Sequence, residues 1–280
     1  MDEMLEKLQA VQIEILDIID VICKKYGLRY SLYAGTLLGA VRHRGFIPWD
    51  DDLDICMPRD DYDKFIELWP SLNLKGYILQ NKDNTPEFTQ SFTKIRKDKT
   101  CFLQSGEKQG KYHTGIFVDI FPIDRIPVGK LRRTRYIWDC MKYQLYTREF
   151  VPSNENIVVK AVSKLLLMTV AGEKREVKRK KLEEKIVAFD KDKKLDIVFV
   201  ETMATIKQVM PADLISEFTF IQFGNKKYMC FKMWEEYLTI KYGAYMKMPP
   251  KEERIWKHQP LMINFENNYE DLFRKTDSVR

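Results

Sequence analysis

The first stretch of the chain carries apolar side chains at helical spacing: Leu5, Leu8, Ile15, Ile19 and Ile22. Positions three or four apart lie on one face of a helix, so residues 3–25 are predicted to form a helix with one buried side. Gly27 follows at the place where such a helix should stop.

Short apolar and β-branched runs, separated by turn residues, come next and predict strands. The strand over residues 115–121 has the clearest pattern, and Pro122 is predicted to close it. The other predicted elements of the first half are strands at 29–34, 53–57, 77–80 and 88–95, and helices at 37–42 and 60–69. The second half favours helices at 130–150, 155–190 and 234–242, with short strands between 196 and 232. This order predicts an α/β (α+β) fold, with a mixed sheet flanked by helices in a core over residues 1–125 and a mostly helical region over 126–280.

Composition narrows the class of protein. The 280 residues carry 47 basic and 41 acidic side chains, a net charge of +6, which suits phosphate-rich ligands or a nearby anionic membrane. No basic patch is interleaved with aromatic residues, so nucleic acid is not an expected partner. The five cysteines are widely spaced, which favours a reducing cytoplasm over a disulfide framework. The first residues lack the apolar core of a signal peptide, and a cytoplasmic location is expected.

The densest chemical signal is Pro48-Trp49-Asp50-Asp51-Asp52-Leu53-Asp54, with four carboxylates within five residues. Asp52 and Asp54 are two apart in a predicted strand and should project from the same side. Like charges held so close need compensation, and Mg²⁺ prefers oxygen ligands of this kind. A solvated acidic turn is the alternative, but the apolar residues that alternate with these acids favour a half-buried strand.

Two further features strengthen this interpretation. Gly35-Thr36 follows a predicted strand and opens a helix, where backbone N–H groups and a small hydroxyl can hold phosphate. Asp119 interrupts an apolar strand, so it should face either the same metal or a basic side chain.

Together these parts resemble the nucleotidyltransferase superfamily, and the stretch from Ala34 to Asp54 resembles the LicD family in particular. That family includes bacterial phosphocholine transferases and the fukutin-type ribitol-phosphate transferases. Three later stretches fit the same resemblance, Lys94-Ile95-Arg96, residues 115–122 and residues 242–250. The resemblance spans about residues 10–260, apart from the helical region at 130–200.

The resemblance assigns roles to individual residues. It implies that Asp52 and Asp54 bind Mg²⁺, with Mn²⁺ as the alternative metal, that Asp50 assists them, and that Asp119 is a third acid near the incoming hydroxyl. The residues that it implies for phosphate or nucleotide contacts are Gly35, Thr36, Arg42, His43, Lys94 and Arg96. Two alternatives without a functional role stay open at this point. His43 is an equally good surface residue, and Lys94 and Arg96 fit the solvent-exposed face of a strand. The basic run 174–185 is more typical of a solvated helix face than of a membrane patch.

The function that follows is transfer of a phospho-alcohol, with phosphocholine from CDP-choline as the leading substrate, onto a sugar hydroxyl of lipopolysaccharide, teichoic acid or capsule precursors. The acceptor is expected to be lipid-linked and to be met at the inner face of the membrane. The alternatives are transfer of glycerol phosphate, ribitol phosphate or phosphoethanolamine, a small-molecule nucleotidyltransferase, and a binding protein with a decayed site.

Overall fold

The computed structural model describes residues 3–107, 110–151 and 157–272, and its contacts divide the chain into two compact units. Unit 1 holds residues 1–80, 93–121 and 214–280, and unit 2 holds residues 81–92 and 122–213. This division differs from the predicted one. Residues 214–280 belong to the same unit as the N-terminal core, and the short segment 81–92 belongs to the helical unit.

Helices and strands are numbered here in chain order. The helices are α1 Glu3–Tyr26, α2 Ala34–His43, α3 Arg59–Leu72, α4 Lys130–Arg148, α5 Ile157–Thr169, α6 Glu173–Val187, α7 Met203–Lys207 and α8 Trp234–Tyr242. The strands are β1 Ser31–Leu32, β2 Asp54–Pro58, β3 Tyr77–Gln80, β4 Thr93–Lys97, β5 Cys101–Leu103, β6 Phe117–Arg125, β7 Ile197–Val198, β8 Phe218–Phe223, β9 Lys226–Phe231 and β10 Met262–Asn264. Short 3₁₀ helices lie at Ala188–Lys191, Ala212–Ile215 and Lys251–Glu253.

A mixed α/β architecture, as predicted, is built around one sheet. Its strands follow the order β1-β2-β6-β4-β3, and the β1–β2, β3–β4 and β4–β6 pairs are antiparallel. The periodic apolar face of α1 is buried, which confirms the first predicted helix. Two smaller sheets in unit 1 are formed by the β8–β9 hairpin and by β10 with β5.

Strand β6 is longer than predicted, because it continues through Pro122 to Arg125. Its register explains why a proline is tolerated there. β6 pairs with β4 over Phe117–Ile120 and with β7 only at Asp124 and Arg125, so Pro122 lies between the two paired stretches. Proline lacks a backbone N–H and is accepted where the ladder needs no donor.

Unit 2 is mainly helical. α4 packs against α6 over a core that includes Tyr136, Tyr143, Leu182 and Ile186. The predicted helices at 130–150 and 155–190 are therefore present in the described residues, with the second divided into α5 and α6, while residues 155 and 156 lie outside the described part of the chain. In the part of the chain that the structure describes, no helix combines the length and the apolar character needed to cross a membrane.

Candidate active site

The loop between α2 and β2, residues 44–53, carries Asp50, Asp51 and Asp52 and is called the acidic loop here. Two glycines one turn apart on α2 allow this loop to pack closely on the helix. A Cβ atom on Gly39 would lie 2.4 Å from the Gly45 carbonyl oxygen, and one on Gly35 would lie 2.9 Å from Oδ2 of Asp50. The contact at Gly39 is with backbone and excludes any side chain there, whereas a side chain at Gly35 would displace the carboxylate of Asp50. Gly35 and Gly39 therefore hold the loop, and with it Asp50, directly against the first turns of α2.

Helix α1 fixes the same loop from another direction. The side-chain amide of Gln9 donates to the Asp50 carbonyl oxygen at 2.9 Å, and that of Gln12 donates to the Asp51 carbonyl oxygen at 2.9 Å. Both glutamines are buried on the largely apolar inner face of α1. A buried amide needs a hydrogen-bond partner, and these two glutamines hold the backbone of the acidic loop in place through such bonds.

Thr36 ties the start of α2 to the start of β2. It is buried, and its hydroxyl oxygen accepts a hydrogen bond of 2.9 Å from the backbone N–H of Asp54. A hydroxyl that accepts one bond can still donate its own hydrogen. The contact of Gly35 and Thr36 with phosphate stays a prediction, whereas the positioning of Asp54 by Thr36 is a feature of the structure.

Asp54 begins β2, one residue later than predicted, and Asp52 lies in the loop before the strand. The projection of both carboxylates from the same side stays a prediction. The two are nevertheless neighbours in the chain at the end of a loop held from two sides, and each is only partly exposed.

His258 contacts the acidic loop and was not among the site residues predicted from the sequence. The backbone N–H of His258 donates to Oδ2 of Asp51 at 2.8 Å. Its Nδ1 lies 3.3 Å from Oδ1 of Asp51 and 3.3 Å from Oδ2 of Asp52. One ligand atom from each of these three residues lies within 4.8 Å of the others, a spacing that could hold a metal ion. Asp51 and His258 are 207 positions apart, so no local motif links them.

Asp50 is the least compensated acid of the loop. It is buried, and its Oδ2 makes no hydrogen bond. Burial, followed by the charge of Asp52, raises the pKa of Asp50 to about 8, against a smaller opposing effect from Lys257. A buried carboxylate oxygen without a partner, beside a second carboxylate, is an arrangement that a hard cation would relieve. The residues present therefore fit the divalent metal that the resemblance implies.

Asp119 pairs with Lys94, the second of the two arrangements that the sequence left open. The residues lie opposite each other on β6 and β4, and Nζ of Lys94 donates to both carboxylate oxygens, at 2.7 and 2.9 Å. Burial raises the pKa of Asp119 and lowers that of Lys94, while the contact between them acts in the opposite direction. The charge of Asp52 also acts on Asp119, which places this pair beside the acidic loop.

Arg96 is fully buried, and its guanidinium donates to the Gln80 side chain at 2.6 Å, to the Gly115 carbonyl at 2.9 Å and to Glu107 at 2.6 Å. Arg96 therefore links three segments of the fold, and its contact with the leaving nucleotide stays a prediction. Neither Lys94 nor Arg96 is the wet face of a strand, because both are buried.

Arg42 and His43 lie at the last turn of α2. Nη1 of Arg42 donates to the carbonyl oxygen of Tyr245 at 3.1 Å, and its Nε donates to Nε2 of His43 at 3.0 Å. Burial and the charge of Arg42 lower the pKa of His43, so the neutral imidazole is favoured. Arg42 thus anchors the segment after α8, and the phosphate contacts of this pair stay predictions.

Comparison of the amino-acid sequence with known proteins points to the same part of the chain. Residues 27–153 match the model of the LicD/FKTN/FKRP nucleotidyltransferase domain. The chain is 29% identical to the lipopolysaccharide cholinephosphotransferase LicD of Haemophilus influenzae over 91% of this chain and 96% of that protein. Residues 27–153 are therefore assigned to the LicD family. An uncharacterized protein of Rickettsia prowazekii, RP689, is 29% identical over 41% of this chain and 50% of its own length.

The segment that matches the LicD family model contains every site residue predicted from the sequence, from Gly35 to Asp119. His258, Gln9 and Gln12 lie outside it, although they hold the acidic loop. The LicD relative from Haemophilus aligns over a longer region, which extends beyond the matched domain. In this chain the LicD domain is therefore completed by contacts from both ends of unit 1.

Proposed function

We propose that this LicD-family protein is a metal-dependent transferase that moves phosphocholine from CDP-choline to a sugar hydroxyl of a lipopolysaccharide precursor. The observation that carries the proposal is the buried, unpartnered carboxylate oxygen of Asp50, within an acidic loop that matches the family domain. The relative from Haemophilus influenzae supports the choice of phosphocholine and lipopolysaccharide. A cytoplasmic location, with a lipid-linked acceptor met at the inner face of the membrane, belongs to the same proposal.

Asp50, Asp52 and Asp54 would hold Mg²⁺ or Mn²⁺, with the imidazole of His258 beside them. A divalent cation bound there would neutralise the diphosphate of the donor and the charge that develops on the leaving nucleotide. The residues themselves supply the positioning: Gly35 and Gly39 let the loop approach α2, and Thr36 fixes the backbone of Asp54. Rigid support of this kind is what in-line phosphoryl transfer requires.

In the proposed reaction the acceptor hydroxyl oxygen bonds to the choline-bearing phosphorus, and the bond from that phosphorus to the CMP oxygen breaks. The hydroxyl proton passes to Asp119, whose pKa burial has raised. Lys94 keeps the carboxylate oriented through its two hydrogen bonds. Gly35, Thr36, Arg42 and His43 are proposed to contact donor phosphate at the two ends of α2.

Release of CMP from a panel of CDP-alcohols in the presence of Mg²⁺ tests the proposal. CDP-choline should be the preferred donor, with CDP-ethanolamine, CDP-glycerol and CDP-ribitol as competitors in the same panel. Asp54→Asn should lower turnover about 10²–10³-fold, because it removes a carboxylate that would hold the metal, whose positive charge stabilises the transition state. Glu67→Gln, an exposed change in α3 that also removes one charge, is the matched control and should keep normal turnover.

Three results would contradict the proposal: release of CMP from none of the donors, turnover that does not depend on a divalent metal, or an unaffected Asp54→Asn enzyme. Preference for another CDP-alcohol would correct the substrate and leave the site in place.

A further inference from the structure

Helix α5 exposes apolar side chains to an unusual extent. It has 13 residues, and Ser163 is its only buried position. The charged side chains of the helix are two lysines, Lys160 and Lys164, and it has no acid. Its strongly exposed apolar residues are Ile157 at 83%, Val158 at 67%, Leu165 at 62% and Met168 at 71%. Soluble surfaces rarely concentrate apolar side chains in this way unless something covers them.

The exposed residues form one face. Val158, Val162 and Leu165 recur at helical spacing, with Met168 one turn further, and all four are exposed. Val158 and Val162 also line an open groove of about 630 Å³, which α4 and α5 border. Trp138 and Phe150 line it, and both are about half exposed. The apolar surface therefore extends from α5 into the groove.

Positive charge is concentrated around this apolar surface. Residues 130–185 contain 15 Lys and Arg against 7 Asp and Glu, a net charge of +8, whereas the whole chain carries +6. The rest of the chain is therefore slightly acidic. Five exposed lysines of α6 contribute to this charge: Lys174, Lys178, Lys180, Lys181 and Lys185.

The basic helix begins where the apolar helix ends. Arg175, in the first turn of α6, donates to the carbonyl oxygens of Val170 at 2.9 Å and Leu167 at 3.1 Å. The apolar face of α5 and the lysines of α6 are thus joined by direct contacts within unit 2. The basic run alone is typical of a solvated helix, but an exposed apolar helix attached to it changes that interpretation.

We propose that α5 and the flanking basic residues of α4 and α6 dock on the surface of an anionic phospholipid bilayer. The outer face of α5 enters the boundary between headgroups and acyl chains, and the lysines bind the phosphates of anionic lipids. Charge complementarity selects this occupant over a second copy of the chain, because two copies of the region 130–185, each with a net charge of +8, would repel each other.

This inference does not depend on the proposed transferase activity, and its test measures lipid binding. Purified full-length protein is sedimented with vesicles of phosphatidylcholine alone and of phosphatidylcholine with about 30% phosphatidylglycerol, at about 0.15 M salt. We expect binding to the anionic vesicles that weakens as salt is raised, and little binding to the neutral ones.

The decisive variant is Val158→Gln with Leu165→Gln, which should lower the vesicle partition coefficient at least about tenfold, because two apolar side chains no longer insert. Both positions are exposed, at 67% and 62%, so the fold is not at risk. The matched control is Val21→Gln with Leu261→Gln, exposed at 63% and 65% in unit 1, which should bind like the unchanged protein. Lys178→Gln with Lys181→Gln should weaken binding to anionic vesicles only.

Three outcomes would overturn the inference. The protein fails to sediment with anionic vesicles, or the α5 variant binds as well as its control. In the third, light scattering shows a dimer that the α5 variant loses, without any lipid binding. The last result would assign the surface to a second copy of the chain.

Discussion

Carboxylates gather around buried positions in both units, and the two clusters are compensated differently. In unit 2, the buried side chain of Arg179 donates to Glu176, to Glu183 and to Asp83. Burial alone would lower the pKa of Arg179, but the hydrogen bond with Glu176 and the charges of Glu183 and Asp83 raise it overall. One fixed cation therefore satisfies three acids without any ligand.

In unit 1, the acids of the acidic loop are compensated by weaker positive charge. His258 contacts Asp51 and Asp52, while Oδ2 of Asp50 has no hydrogen bond. An ion network in which every buried group has a partner stabilises the fold, whereas a network with an unpaired acceptor can bind a charged ligand. A cluster of acids therefore indicates a binding site when one of its acids lacks a partner, and the number of acids alone does not.

The largest expected effect would come from the complete network. Arg179→Met should lower the free energy of unfolding by about 2–3 kcal/mol, because three partly exposed carboxylates lose their shared hydrogen-bond donor. Added Mg²⁺ should not restore this loss. Urea denaturation measures it, and Lys180→Met, which removes a neighbouring exposed cation, should change the free energy by less than about 0.5 kcal/mol. Equal effects of the two variants would remove the contrast between the clusters.

Much of the site in unit 1 is visible in the sequence. The acidic run stands out because Asp50, Asp51, Asp52 and Asp54 are adjacent in the chain, and the family resemblance rests on the same stretch. The need of Asp119 for a partner also followed from its apolar neighbours. The sequence predicted the element types well because α1 and the short strands carry clear apolar periodicity.

Other features depend on contacts that no local pattern encodes. His258 reaches the loop through a contact between distant parts of the chain, and its flanking residues carry no recognisable motif. Arg96 looks like a ligand contact because a charged residue in a strand is expected to be exposed. Its partners Gln80, Gly115 and Glu107 come from separate segments, so its burial was not predictable. The domain boundary was missed for the same reason, because residues 214–280 return to unit 1.

A middle-sized effect should appear in the pH dependence of the metal-free protein. The pKa of Asp50 is about 8 in the folded chain, well above its ordinary value of 3.8. Between these values the unfolded chain binds fewer protons, so stability should fall as pH rises, by at most about 1.4 kcal/mol per pH unit for one group. Asp50→Asn should flatten this slope, and Mg²⁺ should stabilise the unchanged protein more at pH 8 than at pH 6.

Thermal melts in EDTA and in Mg²⁺ across this range provide the measurement. Glu67→Gln is the control, because it removes an exposed acid of the same unit and should leave the slope unchanged. A metal-free protein whose stability rises from pH 6 to 8, or an Asp50→Asn protein with the slope of the unchanged chain, would show that the loop is already compensated.

The smallest expected effect concerns the counter-charge itself. The hydrogen bond with Asp51 is the main cause that raises the pKa of His258, and the charges of Asp52 and Asp51 add to it. A raised pKa means that the ion pair stabilises the fold fully below the ordinary value near 6.5 and loses this contribution as pH rises through the folded pKa. His258→Gln should therefore be less stable than the unchanged protein at pH 6, and the difference should shrink by pH 8. We expect a difference of only about 1 kcal/mol at pH 6, because the side chain is partly exposed to solvent.

His113→Gln should show the opposite pH dependence, with a loss of stability that grows as pH rises. Burial lowers the pKa of His113, so the folded protein favours its neutral form. Thermal melts in EDTA separate the two variants, and a deficit in His258→Gln that persists at high pH would mean that a neutral hydrogen bond, and not charge, holds His258 against the loop.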